Sequence, residues 1–157
     1  MRDLPMDVLI SRHPLLAGLP NDILLLLAGC ARNVPFHAGT LLLSEGDTAD
    51  TFYLIRRGRV GIEVHDPRRG RVVVETVGPG SVVGWSWLFP PYRWHFDARA
   101  IDEVGTIALD GACLRTKAEA DPVVGYELMK RLSNVLLERL QATRVRLLDL
   151  YGDGKVS

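Results

Sequence analysis

Cysteine is nearly absent from this 157-residue chain, with Cys30 and Cys113 the whole supply. Two thiols are too few for a disulfide framework, an all-cysteine zinc site or an iron–sulfur cluster. The expected setting is a reducing cytoplasm, with Cys30 buried and inert on an apolar helix. A surplus of one charge is also missing, since Lys+Arg and Asp+Glu both number 19. Domains that grip nucleic acid through phosphates carry a basic excess, so that mode of binding is not expected. The first third holds no long apolar run either: the uncharged stretch from Ile23 to Ala31 is far short of the roughly 20 residues of a membrane span. The opening Met1-Arg-Asp-Leu-Pro5 shows no leader pattern. What is left is one soluble domain over 1–157, 47% hydrophobic and 24% charged, long enough to bury a real core.

Reaction chemistry is equally scarce. His13, His37, His65 and His95 stand alone, so no paired-histidine metal motif forms. There is no Gly-x-Ser-x-Gly nucleophile elbow and no P-loop. A lone histidine such as His95 is most often a hydrogen-bonded structural residue. The expectation is a non-enzyme with no catalytic residues and no metal.

What is present falls into three textures. Residues 14–35 read as an N-terminal helical part, with Asn21 or Asp22 as N-cap and Pro35 closing it. From 36 to 110 the chain breaks into short strands cut by Gly and Pro. The runs are Thr40–Ser44, Thr51–Ile55, Val60–Val64, Arg71–Val77, Ala98–Ile101 and Gly105–Leu109, with a turn at Asp66-Pro-Arg-Arg-Gly70. Many short strands with no helices between them predict a mainly β, antiparallel sandwich or barrel. The arginines at the 66–70 turn read as solvated.

Residues 121–151 read as one long helix, opened by Asp121 as N-cap and Pro122 at the first position. Met129, Ser133, Leu136, Leu140, Thr143, Leu147 and Leu150 alternate by four and three, a heptad seam. At about 42 Å the helix outruns the β domain, so its far end predicts a homodimer pairing through Met129, Leu136, Leu140, Thr143, Leu147 and Leu150. Leu128, Leu132 and Val135 form a second apolar face for packing on the domain. After Tyr151 nothing resembling a helix-turn-helix follows, so no DNA-binding domain is expected.

The order helix, strands, long helix resembles the cyclic-nucleotide-binding domain family, and particular residues carry the likeness. Gly39-Thr-Leu-Leu-Leu-Ser-Glu-Gly46-Asp47 and Thr51-Phe-Tyr-Leu-Ile-Arg-Arg-Gly58-Arg-Val60 are similar to its signature. Arg131–Thr143 resembles the dimer helix of its catabolite-activator-type members. The resemblance spans about 14–151 and implies a jelly-roll β-roll with a short N-terminal helix and a C-terminal dimerisation helix. It also implies a phosphate-binding cassette, in which a glutamate holds the ribose and an arginine the cyclic phosphate. Here that cassette departs from the pattern. Gly84 matches, Trp85 stands at the glutamate position, and counting back from Ala98-Arg99-Ala100 puts Trp94 at the arginine position. Arg93 is one residue away.

Six of the eleven aromatics fall between Trp85 and Phe96, including every tryptophan. They either line a pocket for a flat ligand, plug the old cavity as core, or dock a partner. Alternation at 85, 87 and 89 suggests an extended segment with one aromatic side, while a short helix starting near Ser86 would offer its amides and the Ser86 hydroxyl to an anion. The expected ligand set is Gly84, Trp85, Ser86, Trp87, Arg93 and Trp94 on the cassette, with Thr143 reaching in from the helix. The expected ligand is a cyclic nucleotide or another small planar or anionic molecule, with no certain cofactor. It would be other than, or held more weakly than, ordinary cyclic AMP, and a separate effector protein would read the signal. Two alternatives stand beside this: an interaction module with an aromatic-filled pocket, and cyclic AMP binding through a shifted Arg93.

Overall fold

Alternating apolar positions in short strands build two facing sheets, described by the computed structural model over residues 4–156, with side chains as far as position 151. Two helices come first, α1 (Met6–Ser11) and α2 (Asn21–Ala28). The strands are β1 (Ala31–Phe36), β2 (Leu41–Leu43), β3 (Thr51–Arg57), β4 (Val60–Asp66), β5 (Gly70–Val77), β6 (Val82–Val83), β7 (Asp97–Ala100) and β8 (Val104–Asp110). A 3-10 turn, Trp85–Leu88, follows β6, and α3 (Gly111–Ala120) and α4 (Pro122–Val156) complete the order. One sheet runs β1-β8-β3-β6 and the other β2-β7-β4-β5, with every pairing antiparallel. This is the antiparallel β-roll with a long C-terminal helix that the sequence predicts.

The first sheet separates two cores. On β3 and β8, Phe52, Leu54, Ile107 and Leu109 face the helices, while Tyr53, Ile55 and Ala108 face the second sheet. Leu128 and Leu132 of α4 join the helix-side core with Val135 packed against it, as their spacing predicts. Gly58 shows how tightly the roll closes: a Cβ there would meet the Glu103 carbonyl at 2.3 Å. His13 pins the N-terminal segment to the turn before β6. Its Nδ1 accepts from the Leu15 N–H at 3.2 Å, leaving Nε2–H to donate to the Ser81 carbonyl at 3.2 Å.

Several boundaries differ from expectation, each for a physical reason. Pro35 does not close a helix but lies within β1, opposite Gly105. It is tolerated because β1 is an edge strand whose outer side needs no ladder donor. Neither Asn21 nor Asp22 caps α2, which starts after Pro20 without a side-chain cap. The two-residue β6 and the whole of α3 were not anticipated. Asp110 caps α3 by accepting from the Cys113 N–H at 2.8 Å. Asp121 caps α4 as expected, accepting from the Val123 N–H at 3.0 Å, and α4 continues beyond Tyr151 to Val156. The leader reading falls partly on positions 1–3, which with 157 lie outside the described residues.

The cysteine expectation is also corrected. Cys30 sits between α2 and β1, not on a helix, and is disulfide-bonded to Cys113, 83 residues away, with the Cα atoms 5.7 Å apart. The β1–β8 ladder is responsible. It pairs Ala31 with Leu109, so the residue before β1 and the first turn after β8 emerge side by side.

Candidate functional site

The cassette begins at Gly84, whose φ of 90° lies in the left-handed region that favours glycine. A Cβ at Gly84 would sit 2.8 Å from the Trp94 ring. From there the chain enters the 3-10 turn rather than an extended segment, so Trp85, Trp87 and Phe89 do not share a side. Trp87 is fully buried against Phe52 in the helix-side core, and Ser86 is buried beside it in sequence. Phe89 is 46% exposed. Trp85 is half-buried beneath the Arg139 guanidinium, which lies 4.7 Å from its ring.

Trp94 fills the interior of the roll, 4% exposed among Ile62, Val77, Val83 and their neighbours. Its backbone is laced to the loop after β2: the Gly46 N–H donates to the Trp94 carbonyl at 2.9 Å, and the Trp94 N–H donates to the Asp47 carbonyl at 3.1 Å. Extended backbone turns successive side chains to opposite faces, so an inward Trp94 sends Arg93 outward. The Arg93 guanidinium donates to the Gly46 carbonyl at 3.2 Å and lies 3.4 Å from Thr48 Oγ1. The inward swing of Arg93 that the cyclic AMP alternative requires is therefore not what the structure holds.

An open cleft of about 420 Å³ lies instead between β5, the turn before β6 and α4, with Glu75, Ser81, Val82, Glu138 and Arg139 on its walls. Arg139 organises it. Its guanidinium donates to the Val82 carbonyl, stacks on Trp85 and approaches Glu75 at 4.0 Å. Burial lowers its pKa and Glu75 opposes that fall, yet a guanidinium stays charged throughout the working range. One heptad further on, Arg146 also approaches Glu75 at 4.0 Å and donates to the Val74 carbonyl at 2.8 Å. That carbonyl is available because Val74 is the extra residue of a β-bulge, between Val73 opposite Glu63 and Glu75 opposite Ile62.

Thr143 lies along the same helix, its hydroxyl donating to the Arg139 carbonyl at 2.8 Å. It lines an adjoining groove of about 330 Å³ with Val74, Leu147 and Leu150. Of the seven expected ligand residues, Thr143 borders this open space and Trp85 touches it through Arg139. Gly84, Ser86, Trp87 and Trp94 are buried and line neither the cleft nor the groove, and Arg93 faces elsewhere. Glu75, Arg139 and Arg146 were missed, although two arginines seven apart on one helix stripe were a visible signal. Among the described residues no cluster of His, Cys, Asp or Glu is arranged to hold a metal ion, and no helix is long and apolar enough to cross a membrane. The seam residues Met129, Leu140, Leu147 and Leu150 are 43%, 48%, 48% and 68% exposed, and Leu136 is half-buried.

The comparisons agree with this architecture. Residues 33–121, more than half of the chain, match the model of the cyclic nucleotide-binding domain. The chain is 28% identical over 145 residues to the CRP-like cAMP-activated global transcriptional regulator of Mycobacterium tuberculosis, covering 92% of this chain and 63% of that protein. A cyclic nucleotide-binding protein from Geobacter metallireducens superimposes with a TM-score of 0.75 at 27% identity, covering 88% of this chain and 99% of that one. The N-terminal domain of a transcriptional regulator from Streptomyces coelicolor superimposes with a TM-score of 0.67 at 26% identity, covering 85% and 93%. A roll of two antiparallel sheets, a glycine-led cassette and a long terminal helix, matched over this span, make the chain a member of the cyclic nucleotide-binding domain family.

Proposed function

We propose that this chain is a non-catalytic regulatory domain that pairs with a second copy through α4 and senses a small planar or anionic ligand in the cleft between β5 and α4. The ligand is other than ordinary cyclic AMP, or cyclic AMP bound weakly. The observation that carries this is Trp94, buried where the resemblance puts the phosphate-holding arginine, with Arg93 turned outward. Filling that position with an indole removes both the room and the charge a cyclic phosphate requires. Arg139, stacked on Trp85, and Glu75 are then charged groups on the wall of that cleft, and a ligand touching them would shift α4 against β5. A partner protein reads that shift, in a cytoplasmic setting.

Arg139 over Trp85 supplies the assay. Trp87 and Trp94 are shielded, so ligand-dependent emission should come from Trp85. Calorimetry with cyclic AMP, cyclic GMP and cyclic dinucleotides, beside tryptophan emission across a metabolite panel, tests the reading. The expected result is weak or no heat with cyclic AMP and a Trp85-dependent response, abolished by Trp85→Phe, to another planar or anionic compound. Micromolar cyclic AMP affinity would overturn it. The filled roll favours a second reading, an interaction module that binds no small ligand, and a flat response to the whole panel would select it.

A further inference from the structure

We propose that Cys30–Cys113 is a thiol–disulfide exchange site, through which redox state sets how firmly α3 holds the cassette and α4. α3 contributes no residue to the walls of the cleft between β5 and α4.

α3 touches both the cassette and α4. Its first residue, Gly111, is so close to the cassette that a Cβ would meet the Trp87 Cβ at 2.8 Å. One turn on, Arg115 donates to the Trp87 carbonyl and lies 4.4 Å over the Tyr92 ring. At its far end α3 packs on α4 closely enough that a Cβ on Gly125 would meet the Ala118 carbonyl at 2.9 Å. One short helix therefore joins the cassette to α4, and Cys113 lies in its first turn. Besides the disulfide, backbone hydrogen bonds hold that turn: the Asp110 N–H to the Cys30 carbonyl and the Gly111 N–H to the Asp50 carbonyl, both 2.9 Å. Opening the sulfur bridge leaves these in place, so the expected response is loosening, not unfolding.

Access and stoichiometry favour exchange. Cys113 is half-buried whereas Cys30 is 7% exposed, so an entering thiolate meets the Cys113 sulfur first. Attack there by one sulfur of a small dithiol forms a mixed disulfide and expels Cys30 as a thiolate, which takes up a proton. The second thiol of the same reagent then closes on the first, releasing Cys113. Two protein thiols form, the dithiol becomes its cyclic disulfide, and two electrons pass. A low-molecular-weight disulfide reverses the sequence. With no other cysteine in the chain, no competing pairing exists within one copy.

The test treats the oxidised full chain with dithiothreitol under native conditions, counts thiols by maleimide labelling, and follows amide hydrogen exchange by mass spectrometry. Two labelled thiols per chain are expected. Exchange should accelerate at least tenfold in Gly111–Ala120, Trp85–Leu88 and the first turns of α4, with β4 and β5 unchanged, and an oxidised small disulfide should restore the original pattern. A chain carrying Cys30→Ser and Cys113→Ser should show the reduced pattern and ignore dithiothreitol; if it does not fold, the wild-type measurements decide alone. The proposal is overturned if no thiols appear while the protein stays folded, if they appear without faster exchange in the cassette and α4, if exchange rises uniformly along the chain, or if the two thiols never pair.

Discussion

Trp94 and Gly84 occupy one space. The indole fits because residue 84 has no side chain, and the glycine's φ of 90° closes the turn that brings them together. Trp94→Ala should cost about 3–5 kcal/mol for the cavity it leaves. Gly84→Ala should destabilise through both the clash and the left-handed backbone. In the double variant the clash vanishes while the backbone cost stays, so urea titrations should show a combined loss at least about 1 kcal/mol smaller than the sum. His13 makes a separate prediction. Burial holds its pKa below the ordinary value despite the opposing hydrogen bond to Ser81. Above about pH 6.5 it is neutral in both folded and unfolded chains and has no effect on pH dependence. Below that pH the unfolded chain takes up the proton first, so stability falls as pH drops toward the lower folded pKa. Denaturation midpoints at pH 7.5, 6.5 and 5.5 should decline more steeply for the native chain than for His13→Gln. Equal slopes would refute the assignment. At this scale Trp94 was legible, because counting back along the cassette placed it at the arginine position. Arg93 was not, since its direction depends on which neighbour turns inward, and volume decides that.

Among the elements, those with a repeating pattern were legible and those defined by their neighbours were not. The unbroken helical stretch of α4 and its Asp121–Pro122 start are local signals, and the structure holds one helix opened by a capping Asp121. β1 was hidden because Pro35 reads as a helix terminator, when its edge position is what permits it. α3 was hidden because its sequence has only weak apolar periodicity, and it is held by the cassette, α4 and the disulfide. The cleft required pairing β5 with α4, and no strand pattern announces a bulge at Val74. The proposed pairing through α4 makes a prediction at this scale. Leu140→Asp with Leu147→Asp places two carboxylates on the exposed seam while leaving Leu128 and Leu132 packed in the core. Sedimentation should give a single-chain mass for the variant where the native chain gives twice that mass, with the same circular dichroism. Identical masses would remove the seam from the interface.

For the whole molecule, the bulge at Val74 has a consequence for solubility. Each sheet ends in a strand with an unpaired side, and such rims invite other chains to add on and seed aggregates. Here every rim is spoiled. Pro35 withholds a donor from β1, while β2 and β6 run only three and two residues. β5 is the one long rim, with eight residues and Val73 and Val74 exposed, and there the kinked carbonyl is already taken by Arg146. Losing that guanidinium would free this carbonyl for another chain's donor, so Arg146 guards the rim as well as bracing α4.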